Sequence, residues 1–122
     1  MANKRSRRKT PPRHVRARAP AKTRGKMNGL EAEYAAMLTA RQNIGAVIWW
    51  AYESMRFQIG RLAYYTPDFV VQLPDGTIQL HEVKGHWRQA ARVRIKCAAE
   101  RFPFDFIAVR KGKDGAWEFE EF

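Results

Sequence analysis

Glu82 and Lys84 lie two residues apart in segment 77–84, whose composition is that of a β-strand. On a strand that spacing sends both side chains to one face, so a carboxylate and an ammonium share a pocket near the strand's end. A second carboxylate, Asp68, lies in the preceding apolar segment, 62–73. If the two segments pair, Asp68 comes to stand opposite Glu82 and Lys84. Two carboxylates, the backbone carbonyl of Val83 and several waters suit Mg²⁺, which completes its shell readily with phosphate oxygens. Beside such an ion Lys84 would position or help deprotonate a water and hold a phosphate oxygen, which is the outline of in-line phosphodiester hydrolysis. A Glu-x-Lys on a strand also serves as a solvated face or a cross-strand ion pair. What raises this one above that reading is its setting: Pro67-Asp68 before it, Gly85 directly after it, and a basic helix next.

The elements that must position these residues are legible in outline. Asn28, followed by Leu30, Tyr34, Met37 and Leu38 at helical spacing, predicts an N-capped helix to about Arg41. The β-branched and aromatic run 47–52 predicts a strand that continues brokenly towards Phe57. Segment 62–73 predicts a second strand, ended by the turn Pro74-Asp75-Gly76, and 77–84 a third that returns against it as an antiparallel hairpin. Pro67 fits there only at an edge, a bulge or a loop. In a helix over 87–102, Ala91, Ile95, Ala98 and Phe102 fall on one face and Arg88, Arg92 and Lys96 form a neighbouring basic stripe. Segments 104–110 and 117–122 predict two last strands, the second an edge. The resulting order, α-β-β-β-α-β-β, points to an α/β sandwich around a mixed β-sheet flanked by helices.

Charge divides the chain of 122 residues in two. Lys and Arg number 23 against 12 Asp and Glu, a formal net of +11. Residues 1–26 hold eleven of the basic side chains, Arg5, Arg7, Arg8 and Lys9 among them, and no acid, so 27–122 is formally neutral. A segment so charged, broken by Pro11, Pro12 and Pro20, cannot bury enough surface to offset its ordering entropy and is expected to be disordered alone. It suits a polyanion, and nucleic acid is the natural partner. A targeting segment or a solubilising arm is the bland alternative. No apolar run approaches the roughly 20 residues of a membrane span, so no membrane partner is expected and the expected compartment is cytoplasmic, the host's if the chain is phage-encoded. The single Cys97 reads as a structural thiol on a packed helix.

The words Tyr65-Thr66-Pro67-Asp68-Phe69 and Glu82-Val83-Lys84-Gly85-His86-Trp87, preceded by Gly29-Leu30-Glu31 on the first helix, resemble the bacteriophage endonuclease I family, Holliday-junction-resolving members of the PD-(D/E)xK nucleases. They are also similar to short phage and prophage proteins that share this core. The resemblance spans about 28–110. It implies a restriction-endonuclease-like core over 27–122, Glu31, Asp68 and Glu82 as the acidic catalytic residues, Lys84 as the catalytic lysine, Mg²⁺ or Mn²⁺, 5′-phosphate products, branched DNA as substrate and a homodimer. The basic tail, and an end soon after the fourth strand, depart from the family's pattern. Glu31 also stands where a capping-box glutamate would reach back to its helix N-terminus. Arg88, Arg92 and Lys96, with the tail, are the expected DNA contacts; His86 and Trp87 open the second helix beside the site, where they would touch DNA or, for His86, assist the leaving group. His81 alternates to the opposite sheet face, and Trp49, Trp50 and Trp117 read as core or edge packing. Two other readings use the same residues: a less selective nickase or restriction-like nuclease, and a non-catalytic nucleic-acid-binding module.

Overall fold

The structure, a computed structural model, describes residues 26–122; the expectations for Arg5, Arg7, Arg8 and Lys9 fall outside them. Helix α1 (Gly29–Asn43) begins at Asn28, whose side chain accepts from the Glu31 amide while the Glu31 carboxylate accepts from the Asn28 amide, a complete capping box. Strands β1 (Trp49–Tyr52), β4 (Phe69–Gln72), β5 (Ile78–Val83), β6 (Asp105–Lys111) and β7 (Trp117–Glu121) form one sheet in the order β1-β4-β5-β6-β7. Between β1 and β4 in the chain, β2 (Phe57–Gly60) and β3 (Ala63–Tyr65) make a separate two-stranded sheet. Helix α2 (Gln89–Arg101) joins β5 to β6, which run parallel; every other pairing is antiparallel. The α/β class and the mixed sheet are as the sequence implies. Among the described residues no helix is long and apolar enough to cross a membrane.

The strand order differs from expectation in one place. Segment 62–73 is two strands, not one, and its first part pairs back on 57–60. Proline explains the break: Pro67 has no N–H to give a ladder, so the pairing of β4 starts only at Phe69. At the other end Glu53 takes a left-handed backbone (φ 48°), which turns the chain out of β1 before the hairpin begins. The β4–β5 hairpin closes as expected, with Gly76 at φ 91°, Asp75 accepting from the Thr77 amide, and Leu73 and Thr77 bonded across the turn.

The central strands are apolar on both faces because both are covered. Phe69, Val71, Val83, Ile107 and Val109 pack under Tyr34 and Leu38 of α1, and Val70, Leu80, Phe106 and Ala108 under Ile95 and Ala98 of α2 and under Phe57 and Tyr65 of the hairpin. His81 is buried on the α1 side, opposite Glu82. A neutral imidazole protonated on Nε2 satisfies both of its neighbours there, donating to Gln79 Oε1 (3.0 Å) and accepting from the Tyr34 hydroxyl (2.7 Å). Burial drives its pKa down to about 4. Trp50 packs on Phe69 and Trp117 on Tyr34, while Trp49 lies exposed on the edge strand β1.

Candidate active site

Four sequence elements converge at one end of the sheet: the start of β4, the end of β5, the first turn of α1 and the end of β1. The β4–β5 register pairs Phe69 with His81, which sets Asp68 beside Glu82. The two carboxylates are clasped reciprocally. Asp68 Oδ2 accepts from the Val83 amide at 2.8 Å, and Glu82 Oε1 accepts from the Asp68 amide at 3.2 Å. Both side chains are buried. Glu82 Oε1 takes a second hydrogen bond, from the Tyr65 hydroxyl at 3.0 Å, and Glu82 Oε2 faces Lys84 Nζ at 3.5 Å. Lys84 is more than a third exposed, so its ammonium stands at the mouth of the site rather than within it.

Pro67 matters here beyond breaking a strand. Hydrogen-bonded pairs of β4 and β5 start at Leu73 and Thr77 and recur at every second residue, which brings Val83 opposite Pro67. Pro67 cannot donate to the Val83 carbonyl, and the Val83 amide is served by Asp68 instead. A backbone acceptor without its ladder donor therefore stands beside the two carboxylates.

Burial, and then the charge of Glu82, push the Asp68 carboxyl up to about 9, against the smaller opposing effects of the Val83 amide and Lys84. Glu82 is raised as well, mainly by burial, with Lys84, Tyr65 and the Asp68 amide pulling the other way. Two carboxylates that resist ionising together are stabilised by a proton or by a cation, and the lysine alone does not offset their repulsion. Among the described residues no group of three His, Cys, Asp or Glu is placed to hold a metal ion by itself. A cation here would rest on the Asp68–Glu82 pair, the Val83 carbonyl and water. That donor set fits Mg²⁺ or Mn²⁺, hard ions that keep several waters.

Glu31 is buried at the α1 N-terminus and performs its capping role, yet it also borders the pair. The Tyr52 hydroxyl donates to Glu31 Oε1 at 2.9 Å, and the Glu31 charge helps to raise the Asp68 carboxyl. Capping and proximity to the site are thus both present in one residue. Of the expected nucleic-acid contacts, Arg88 is exposed at the N-cap of α2, close in sequence to Lys84. Arg92 is turned to the far edge, where its guanidinium bonds both oxygens of Glu120 (2.9 and 2.6 Å). Lys96 lies two turns along α2, roughly 12 Å from Arg88, and borders the same edge as Glu120 and Phe122. His86 is exposed, and Trp87 is half-buried against the α2-side core.

Tyr65 and Tyr52 are the residues that sequence reasoning missed. Each donates a hydroxyl to a carboxylate far from it in the chain, so no local spacing announces the contact; the only hint is that Tyr65 opens the same short word as Pro67-Asp68. Compared with known proteins, the chain matches no family model, no curated sequence and no solved structure at a significant level.

Proposed function

We propose that this chain is a metal-dependent endodeoxyribonuclease with a restriction-endonuclease-like core, hydrolysing phosphodiester bonds in branched or otherwise structured DNA. The observation that carries the reading is the reciprocal clasp of Asp68 and Glu82, buried, mutually repelling and flanked by the Lys84 ammonium at 3.5 Å. Asp68, Glu82 and the Val83 carbonyl would hold Mg²⁺ or Mn²⁺, which when bound acidifies a water and neutralises charge on the phosphoryl oxygens. Lys84, at the mouth, holds a non-bridging phosphate oxygen and orients the attacking water. The water oxygen bonds to phosphorus as the bond to O3′ breaks, the 3′ oxygen takes up a proton, and a 5′-phosphate is left. Arg88 and the basic segment 1–26 hold flanking phosphates through charge rather than sequence. A homodimer would supply the two incisions that resolving a junction requires, and the cytoplasm, the host's if the chain is phage-encoded, is the compartment in which such DNA is met.

The test is cleavage of a labelled four-way junction and of linear duplex by purified protein in Mg²⁺, Mn²⁺ or EDTA, beside Lys84→Ala. Wild type should cut the junction faster than duplex, only with the ion, and Lys84→Ala should lose on the order of 100- to 1,000-fold in rate. Equal cutting of both substrates would leave the less selective nuclease, and no metal-dependent product at all would leave a nucleic-acid binder.

Glu31 can be tested apart from its cap. In Glu31→Gln the amide oxygen still accepts from Asn28 and Tyr52, so stability should fall only by the lost attraction of the charge to the helix N-terminus, about 0.3–1 kcal/mol. Cutting should nevertheless fall on the order of 10- to 100-fold through the lost charge beside Asp68. Unchanged cutting would assign Glu31 to the helix cap alone.

A further inference from the structure

The β2–β3 hairpin is the part of the fold with no counterpart in the strand order expected from sequence, and its last residue reaches the carboxylate pair. Tyr65 pairs with Phe57 across the hairpin, and both rings are buried in the α2-side core. Phe57 is wedged among Phe102, Phe104 and Phe106 with ring centroids 4.8, 6.0 and 5.4 Å away. The hairpin is therefore locked to α2 and β6 by aromatic packing, and the Tyr65 hydroxyl is delivered to Glu82 from a rigid support.

What that hydroxyl does follows from the division of labour between the two oxygens of Glu82. Oε1 receives two donors, the Tyr65 hydroxyl at 3.0 Å and the Asp68 amide at 3.2 Å, while Oε2 is turned to Lys84. A carboxylate with one oxygen held by two donors cannot rotate to present both oxygens at once, so its orientation towards the mouth is set before any ligand arrives. Phenylalanine fills the same space and keeps the packing with Phe57 but supplies no donor. Glu82 Oε1 would then be held by the Asp68 amide alone.

We infer that Tyr65 is a positioning residue that fixes Glu82 Oε2 in the orientation required to ligate the divalent ion, the hairpin serving as its mount. The inference rests on the nuclease reading above. It is tested on the full chain by titrating Mn²⁺ calorimetrically into wild type and Tyr65→Phe, with circular-dichroism melting in EDTA and cleavage over a Mn²⁺ series. Tyr65→Phe should weaken Mn²⁺ binding on the order of 10- to 100-fold. Its cleavage at saturating Mn²⁺ should recover towards the wild-type rate, because the ligand is still present and only its orientation is looser.

A Tyr65→Phe variant that melts lower but binds Mn²⁺ as wild type does would make Tyr65 purely structural and overturn the inference. Should the variant not fold, wild type carrying ¹³Cζ-tyrosine answers instead: the Tyr65 resonance should move during Mg²⁺ titration with the midpoint of ion binding, and a resonance that stays still overturns the inference. Wild type that neither binds Mn²⁺ nor cuts DNA would overturn the nuclease reading itself. Wild type that does both, beside an unaltered Tyr65→Phe, would overturn the role of Tyr65 alone.

Discussion

Asp68→Asn should abolish cutting and, without a divalent ion, raise the melting temperature. Asparagine keeps an oxygen that can accept from the Val83 amide, the one hydrogen bond of the Asp68 side chain among the described residues, and it removes the charge. Loss of a carboxylate from the ion's donor set forfeits several kcal/mol of charge stabilisation at the phosphoryl group. That corresponds to a rate loss on the order of 1,000-fold or more. Stability should move the opposite way, since the wild-type protein buries a group that burial and Glu82 hold far above the ordinary carboxylate range. Each kcal/mol gained raises the midpoint of a domain this size by roughly 4–8 °C. Melting in EDTA at pH 8 reads the gain, which should shrink at pH 5, where the unfolded chain also holds more of its proton and folding takes one up at a smaller cost. A variant that melts lower than wild type at pH 8, or that still cuts, contradicts the paired-carboxylate site.

Stability itself should depend on pH in a direction opposite to that of most proteins, and the ion should reverse it. The Asp68 carboxyl has a pKa of about 9 in the folded protein against an ordinary 3.8, so between those values the folded state binds the proton and the unfolded chain does not. Its contribution to stability is fully present below the ordinary value and is lost as pH rises through about 9, with a slope of roughly 1.4 kcal/mol per pH unit while one proton separates the states. His81 acts with the other sign. Its folded value of about 4 lies below the ordinary 6.5, so in that interval the unfolded chain binds the extra proton and stability rises with pH. The two trends oppose each other from about 4 to 6.5, and the carboxylate pair is seen alone above that. In EDTA the melting temperature should therefore fall from pH 7 to 9.

A saturating divalent ion replaces the proton and should restore stability most where the loss is greatest. Ion at 100 times its dissociation constant adds about 2.7 kcal/mol. That is on the order of 10–20 °C for this domain. A scanning-calorimetry grid of pH against Mg²⁺ tests both halves, and a melting temperature flat from pH 7 to 9 in EDTA, or indifferent to Mg²⁺ and Mn²⁺ at pH 8, counts against the site.

What sequence determined here was everything that depends on short periodicity. The capping box at Asn28 and Glu31, the turn at Asp75-Gly76, the burial of Ala91, Ile95 and Ala98, and the projection of Glu82 and Lys84 from one strand face are local consequences of backbone geometry, and each is found where its residues place it. The opposite orientation of His81 follows from the same alternation. Tertiary structure decided what depends on which distant segments meet. Pro67 announced a local irregularity, but whether it would make a bulge, an edge or a break depended on a partner for 63–65, and Phe57 supplied one because the aromatic pocket of Phe102, Phe104 and Phe106 was there to receive it. The same long-range packing turned Arg92 away to Glu120 and brought the Tyr65 hydroxyl to Glu82, seventeen residues on in the chain. A hydrogen bond between residues so far apart is set by how the layers stack rather than by any spacing between them, and that is why the pair's carboxylates could be named from sequence while the tyrosine that orients one of them could not.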